Sequence, residues 1–301
     1  MRAVLVYNPR AGEKNSAGED NKKTSQATFV TALEAAGWTV SSCHTEDQLD
    51  RDALRDADAV VVAGGDGTVG RVAKQIAGGE LPDIPMAILP VGTVNNVARS
   101  LGVGIEPMMA VSRLERAVER RIDLGIVTTA ASKAYFLEGV SAGVLAHVLA
   151  NKAGHEHKSP AKASGLIARV LETYEPRHYR IEADGRDLSG DYVLIAVMNI
   201  RSLGPGLRLA PRAEHDDGEL DVVRVGPHFK RALIDALYDI DSPADIVLPS
   251  FEVSRATHVR IRSEVQWAQR DDKAWELDGD VTLDVARGAL RMLVPRERDG
   301  A

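Results

Sequence analysis

An α/β N-terminal domain with a parallel sheet, followed by a β-rich sandwich-like C-terminal domain, is the fold class this 301-residue sequence predicts. Up to about Arg121, short β-branched runs alternate with helix-period segments, the mark of successive strand–helix units. From about Ile122 the text changes to many short alternating segments cut by Gly, Asp and Pro, as expected of sheets with one buried face. Three glycine-bearing loops, each directly after a strand of the first half, complete the pattern. The expected domains are 1–121, to which 287–301 returns, and 122–286.

In order, the first half reads as a strand at "AVLVY", a helix over roughly Gln26 to Ala36 stopped by Gly37, and strands at "TVSSC" and "AVVVA". Then come a helix from Val69, a strand at "MAILP", a helix from Val94 and another from Pro107. In the helix from Val94, Val94, Val97, Ala98 and Leu101 share one face, so Asn95 and Asn96 are expected to point away from the buried stripe. The second half reads as strands at "YFLEGVSAG", "HYRIEADG", "DYVLIAVMN", "LDVVRV", "ATHVRIRS", "AWELDGD" and "VTLDVA", with helices near Ala163–Tyr174 and Phe229–Ile240. Phe229, Leu233, Leu237 and Ile240 make one apolar face, read as core. The segment Asn151–Gly165, small and polar without an apolar period, reads as a loop or lid.

The composition narrows the function. A net charge of −7 argues against a protein held to nucleic acid by phosphate contacts. Cys43 is the single cysteine, and the chain opens on strand-like "RAVLVYNP" rather than on a secretory signal, so a cytoplasmic location is expected. The longest apolar runs fall far short of the ~20 residues that span a bilayer. Any membrane contact is therefore expected to be peripheral, at the inner face.

The three loops are "NPRAG" (Asn8 to Gly12), "GGDGT" (Gly64 to Thr68) and "LPVGT" (Leu89 to Thr93). In a parallel sheet, strand ends that lead into helices lie on one edge, where open α/β folds bind ligands. Glycine allows backbone N–H groups to approach an anion, and two of the loops lead into helix N-termini that favour phosphate. A phosphate chain on "GGDGT" is thus expected, with Asp66 holding a divalent cation or orienting the phosphates. If Thr68 caps the following helix, Arg71 is its third residue, where a capping box prefers Glu or Gln. Arg71 is then free to pair with a phosphate oxygen or to point into solvent.

With "GGDGT", "LPVGTVNNVA" and the Asn-Pro-x-x-Gly loop in one chain, the sequence resembles the diacylglycerol kinase catalytic family, which includes bacterial lipid kinases and sphingosine and ceramide kinases. The resemblance implies an ATP-dependent lipid kinase that phosphorylates a hydroxyl of diacylglycerol or a related lipid alcohol at a membrane surface. It implies ATP binding by Asn8, Pro9, Gly12, Thr45, Gly64, Gly65, Asp66, Gly67, Thr68, Arg71, Gly92, Thr93 and Asn95. It also implies a catalytic Mg²⁺ and a structural Mg²⁺ or Ca²⁺ in "EHDDGE", held by the carbonyls of Glu214 and Glu219 and the side chain of Asp217. "LDGD" matches the family's Asp-Gly-Glu, so Asp278 is the first choice for the base that takes the lipid hydroxyl's proton and Asp280 the second. Read without the family, "LDGD" is a type I′ hairpin turn and "DDG" an ordinary Asp-Gly turn.

The chain departs from the family at Val94, Asn96 and Gly70–Arg71, and its connection from Thr45 to Gly64 is shorter. An NAD kinase-like enzyme is the alternative, although Asn95, Asn96 and Asn199 all lack the following Glu of that family's ribose-binding motif. A non-catalytic nucleotide sensor is the second alternative, against which the retained "LDGD" stands. His147, His155 and His157 have no companion ligands and read as solvated, while Lys152, Lys158 and Lys162 suit either solvent or anionic headgroups.

Overall fold

The computed structural model describes residues 1–11, 25–44, 49, 51–151, 159–238, 248 and 250–296. Gly12, Thr45, Lys152, His155, His157, Lys158 and Ile240 lie outside the described residues. The chain divides into two compact units, one of residues 1–122 with 288–301 and one of 123–287.

Unit 1 runs β1 (Arg2–Tyr7), α1 (Gln26–Ala35), β2 (Thr39–His44), β3 (Ala59–Gly64), α2 (Asp66–Ala77), β4 (Met86–Pro90), α3 (Asn96–Ser100) and α4 (Pro107–Leu114), then enters β5 (Ala117–Thr128). Its parallel sheet has the order β2-β1-β3-β4. Met292, near the C-terminus, pairs in parallel with Met86 of β4. All of β3 and β4 is buried, which explains their continuous apolar text. Ser25 starts α1 by accepting the Thr28 N–H at 3.2 Å, and Gly37 at φ +85° ends the chain's helical path as expected.

Unit 2 contains β6 (Lys133–Phe136), β7 (Gly139–Gly143), α5 (Val144–Ala150), α6 (Pro160–Thr173), β8 (Arg177–Ala183), β9 (Arg186–Asp187), β10 (Gly190–Tyr192) and β11 (Leu194–Met198). It continues with β12 (Leu220–Val225), a 3₁₀ turn at Pro227–Phe229, α7 (Lys230–Tyr238), β13 (Glu252–Ala256), β14 (His258–Arg270) and the first part of β15 (Lys273–Pro295). Its pairings are antiparallel, in the order β13-β12-β11-β7-β14, with β14 flanked in turn by β8 and β15. Tyr179, Ile181, Val259, Ile261 and Leu283 pack against Val140, Ile195, Val197 and Val222, forming the interior of a β-sandwich. The other faces of β7, β11 and β12 are covered by α5, α6 and α7 through Val144, Ile167, Leu171, Leu233 and Leu237.

Three local expectations need correction. "ATHVRIRS", "AWELDGD" and "VTLDVA" are not short strands: β14 has 13 residues and β15 has 23, joined by a turn at Asp271–Asp272. "LDGD" therefore lies inside β15, and Gly279 at φ +80° accommodates a register irregularity between Ser263 and Gln266 of β14 instead of turning the chain. The end of the supposed lid is helix, since Ser159 accepts the Lys162 N–H at 3.2 Å and Pro160 occupies the first turn of α6.

The β5–β6 pair shows how closely this unit is packed. Gly125 stands opposite Phe136, whose fully buried ring lies where a Cβ of residue 125 would be. We expect Gly125→Ala to displace that ring and lower the unfolding free energy by about 1–3 kcal/mol. Chemical denaturation checks it, and an unchanged midpoint would show that the ring has room to move.

Candidate active site

The candidate site of unit 1 is built from the ends of β1, β3 and β4. Asn8 extends β1 by donating its N–H to Ala63 O at 3.0 Å, and its Oδ1 accepts the Arg10 N–H at 3.0 Å, which turns the chain over Pro9. Its Nδ2 donates to Thr68 Oγ1 at 2.8 Å, tying the first loop to the second. Gly65 is the N-cap of α2 and accepts the N–H groups of Thr68 and Val69, both at 3.0 Å. The N–H groups of the first turn, at Asp66 and Gly67, have no partner earlier in the helix. Gly67 is exposed there. That makes the start of α2 an anion-binding end.

The second and third loops touch through bare backbone. A Cβ on Gly65 would stand 3.0 Å from Gly92 Cα, and one on Gly92 would overlap Gly65 Cα and come within 2.7 Å of Asn95 Oδ1. A Cβ on Gly64 would meet Thr68 Cβ at 2.6 Å. The glycines are needed for loop-to-loop contact, a reason that the sequence reading, with its single phosphate explanation, did not include.

Asn95 holds the third loop. It adopts left-handed backbone at φ 57°, accepts the Gly92 N–H at 3.0 Å and donates to Gly92 O at 2.9 Å. This small loop delays the helix, so α3 starts at Asn96 rather than Val94. Asn95 and Asn96 are consequently buried, at 5% and 1% exposure, and do not point away from the core.

Asp66 also departs from expectation. Its Oδ1 accepts the Val97 N–H at 3.0 Å, so the carboxylate that was expected to hold a cation caps α3 from the neighbouring loop. Burial raises its pKa, and the N–H groups of Val97, Asn96 and Asn95 oppose that rise. Because α2 begins at Asp66 and not after Thr68, Arg71 is beyond the first turn and exposed, and the missing capping box does not arise. Thr93 is half-buried in the third loop.

Unit 2 holds the remaining predicted residues. In the turn 214–219 the Glu219 N–H donates to Asp217 Oδ1 at 3.0 Å, and Gly218 has φ +74°. Asp123 fastens this turn, accepting the Gly218 N–H at 2.7 Å while its own N–H donates to His215 O at 2.7 Å. Asp217 Oδ2 is buried without a hydrogen bond, 3.3 Å from Arg255 Nη1, which also lies 3.6 Å from Glu219 Oε2. Burial pushes the nearby Asp221 carboxyl up to about 6, with Arg255 opposing and Asp217, Glu219 and Glu214 adding. A spare buried carboxylate oxygen amid acidic neighbours fits a hard cation with Asp217 as the side-chain ligand. No group of three or more His, Cys, Asp or Glu side chains suited to a metal occurs among the described residues.

In "LDGD", Leu277 is buried and the Asp278 side chain lies outside what the structure describes. Asp280 is opposite Arg262 and forms a bidentate ion pair with it, with Nη2 at 2.6 Å from Oδ2. That hydrogen-bonded guanidinium holds the Asp280 carboxyl below the usual range and weakens it as a base. Asp271 was missed entirely. It is 5% exposed, has φ 49°, and accepts the N–H groups of Leu137, Glu138 and Gly139, the shortest at 2.8 Å. The only signal was an acid beside a turn, which carries no hint of burial.

A family model described as Diacylglycerol kinase catalytic domain matches residues 2–127, and one described as YegS C-terminal NAD kinase beta sandwich-like domain matches 138–294. A diacylglycerol kinase of Bacillus subtilis is 28% identical over 236 residues, covering 74% of this chain and 73% of its own. The crystal structure of a diacylglycerol kinase from Bacillus anthracis superposes with a TM-score of 0.69 at 23% identity, covering 97% of this chain and 96% of that one. An NAD kinase from Archaeoglobus fulgidus, solved with ATP, gives 0.54 at 13% identity, covering 98% and 94%.

The geometry of Asp66 separates two roles. Asp66→Ala removes the cap on α3 and is expected to cost roughly 1–2 kcal/mol, whereas Asp66→Asn keeps an oxygen acceptor and sheds a charge that burial disfavours. Thermal or urea unfolding of the pair checks this, and equal losses in both variants would show that the charge, not the acceptor, holds the loop.

Proposed function

Since the chain belongs to the diacylglycerol kinase catalytic-domain family, we propose that it is an ATP-dependent lipid kinase, transferring the γ-phosphate to a hydroxyl of diacylglycerol or a related lipid alcohol. The observation that carries the reading is the set of interlocked loops in unit 1. Asn8 is tied to Thr68, Gly65 meets Gly92, and the first-turn N–H groups of α2 open beside that contact. In this reading Asn8, Pro9, Gly64 to Thr68, and Gly92 to Asn95 hold the nucleotide's phosphates, with Gly12, Thr45 and Arg71 completing the site. A soluble chain of this kind acts at the membrane from the cytoplasm as a peripheral enzyme, and no helix among the described residues is long and apolar enough to cross a bilayer.

Phosphoryl transfer depends mainly on position and charge, so few residues need to do chemistry. Asp278 takes the proton from the lipid hydroxyl as its oxygen bonds to the γ-phosphorus and the bond to the β-phosphate oxygen breaks, releasing ADP. Asp280 is the weaker candidate because Arg262 already engages both of its oxygens. A divalent cation bound with the nucleotide neutralises charge on the phosphates. Asp66 serves that step by ordering the third loop. A second cation, Mg²⁺ or Ca²⁺, on Asp217 and the Glu214 and Glu219 carbonyls would brace the 214–219 turn that Asp123 fastens.

NAD kinase-like transfer to a soluble dinucleotide is the competing reading, favoured only by the fold shared with the Archaeoglobus fulgidus enzyme. Labelled ATP offered with a panel of lipid alcohols in mixed micelles, and with NAD as a rival acceptor, decides between them. We expect label in lipid, and label in NAD alone would overturn the proposal. Asp278→Asn should lose about 10²- to 10⁴-fold in rate with unchanged nucleotide affinity, and Asp280→Asn should lose less. A larger loss at Asp280 would move the base there. Asp217→Ala, like chelation of the second cation, should lower activity and melting temperature while leaving ATP affinity alone, and a variant equal to the parent in both would make the turn an ordinary one.

A further inference from the structure

Unit 2 carries a charged feature that phosphoryl transfer does not use. Arg180 of β8 and Arg262 of β14 are directly opposite each other on the outer face of their sheet. Like charges in that position destabilise a strand pair. Arg262 is compensated on its other side by Asp280. Arg180 is exposed and has no hydrogen bond or ion pair among the described residues, since the acid next along its face, Glu182, stands opposite Arg260 instead.

Both guanidiniums line a groove of about 510 Å³, together with Arg177 and His178. Its floor is organised by Gln266, which accepts the Tyr179 hydroxyl at 2.9 Å and donates to Ser263 Oγ at 2.7 Å. Glu264 is the one carboxylate among the lining residues, and His178 is engaged by Asp191 at 2.8 Å. Three arginines against one acid is a local reversal of sign in a chain of net charge −7. At Pro176 and Arg177 the groove joins a second, of about 440 Å³, with Val170 and Tyr174 in its walls. The β14 irregularity that shapes the groove is opposite Leu277 and Gly279, the neighbours of Asp278 in β15.

We infer that this groove binds the phosphate of a phospholipid headgroup, with Arg180 and Arg177 as its principal donors and the adjoining groove taking the less polar part of the same molecule. The inference rests on the lipid-kinase reading for its choice of lipid over a soluble phosphate. Guanidinium forks suit phosphate oxygens, and an anion between Arg180 and Arg262 removes the repulsion that the empty sheet carries. A headgroup held there lies along the strand that bears the proposed proton acceptor.

The test is partition of the intact protein, without nucleotide, onto phosphatidylcholine vesicles with and without phosphatidate, together with its melting temperature. We expect binding to require phosphatidate, to weaken about tenfold in Arg180→Gln, as loss of one charge-assisted contact implies, and to strengthen in Glu264→Gln. The melting temperature of lipid-free Arg180→Gln should rise, because the opposed charges are gone. Equal partition of parent and Arg180→Gln, or a fall in that melting temperature, would overturn the inference. If inorganic phosphate alone raises the parent's melting temperature through Arg180 while phosphatidate vesicles do not bind, the ligand is a soluble phosphate and the lipid assignment is wrong. No transfer is measured, so loss of kinase activity on every lipid with Arg180-dependent partition intact would remove the enzymatic reading and leave the groove standing.

Discussion

Gly65 and Gly92 approach each other so closely that neither tolerates a Cβ, and the remaining geometry of the nucleotide unit follows from that contact. With the two loops in backbone contact, Asn95 can fold back on Gly92, α3 begins one residue later, and its first N–H groups come within reach of Asp66. Thr68, packed over Gly64, offers its hydroxyl to Asn8. A phosphate-binding edge needs N–H groups fixed in place before the ligand arrives. Here the fixing is done by contacts between loops, and the helix start of α2 is left open to an anion.

Buried carboxylates do similar work in both units. Asp66 accepts from the start of α3, Asp123 from the 214–219 turn, and Asp271 from the segment Leu137–Gly139. In each case the donor is a backbone N–H that a loop or a strand end leaves without a ladder partner. Leaving such a group buried and unpaired costs about 1–3 kcal/mol, so the carboxylate stabilises the loop even though its own desolvation is unfavourable. The raised pKa of Asp66 records that compromise.

Acids and arginines of the β-rich unit divide into tasks by their position on the sheet. On the outer face Asp280 is consumed by Arg262, which separates the two aspartates of "LDGD" chemically despite their shared motif. Around the 214–219 turn, Arg255 reaches toward both Asp217 and Glu219, which moderates a cluster of four carboxyls that would otherwise repel. Arg180, on the same outer face as Arg262, is left without compensation and gives the surface its cationic groove.

The sequence by itself determined the order and type of most elements, because apolar period and turn chemistry are local properties. β1, β3 and β4, the glycine that ends α1, the three loops and the family resemblance were all legible in stretches of fifteen residues or fewer. What it did not determine was the task of each polar side chain. Asp66 meets a backbone N–H 31 positions away, Asn8 a hydroxyl 60 away, and Asp271 an N–H 133 away. "LDGD" looks like a turn until β14 is laid beside it, at which point Gly279 becomes the kink in a continuous strand and Asp280 the partner of Arg262. Register, burial and the pairing of charges arise when distant segments meet, so only the tertiary structure decided them.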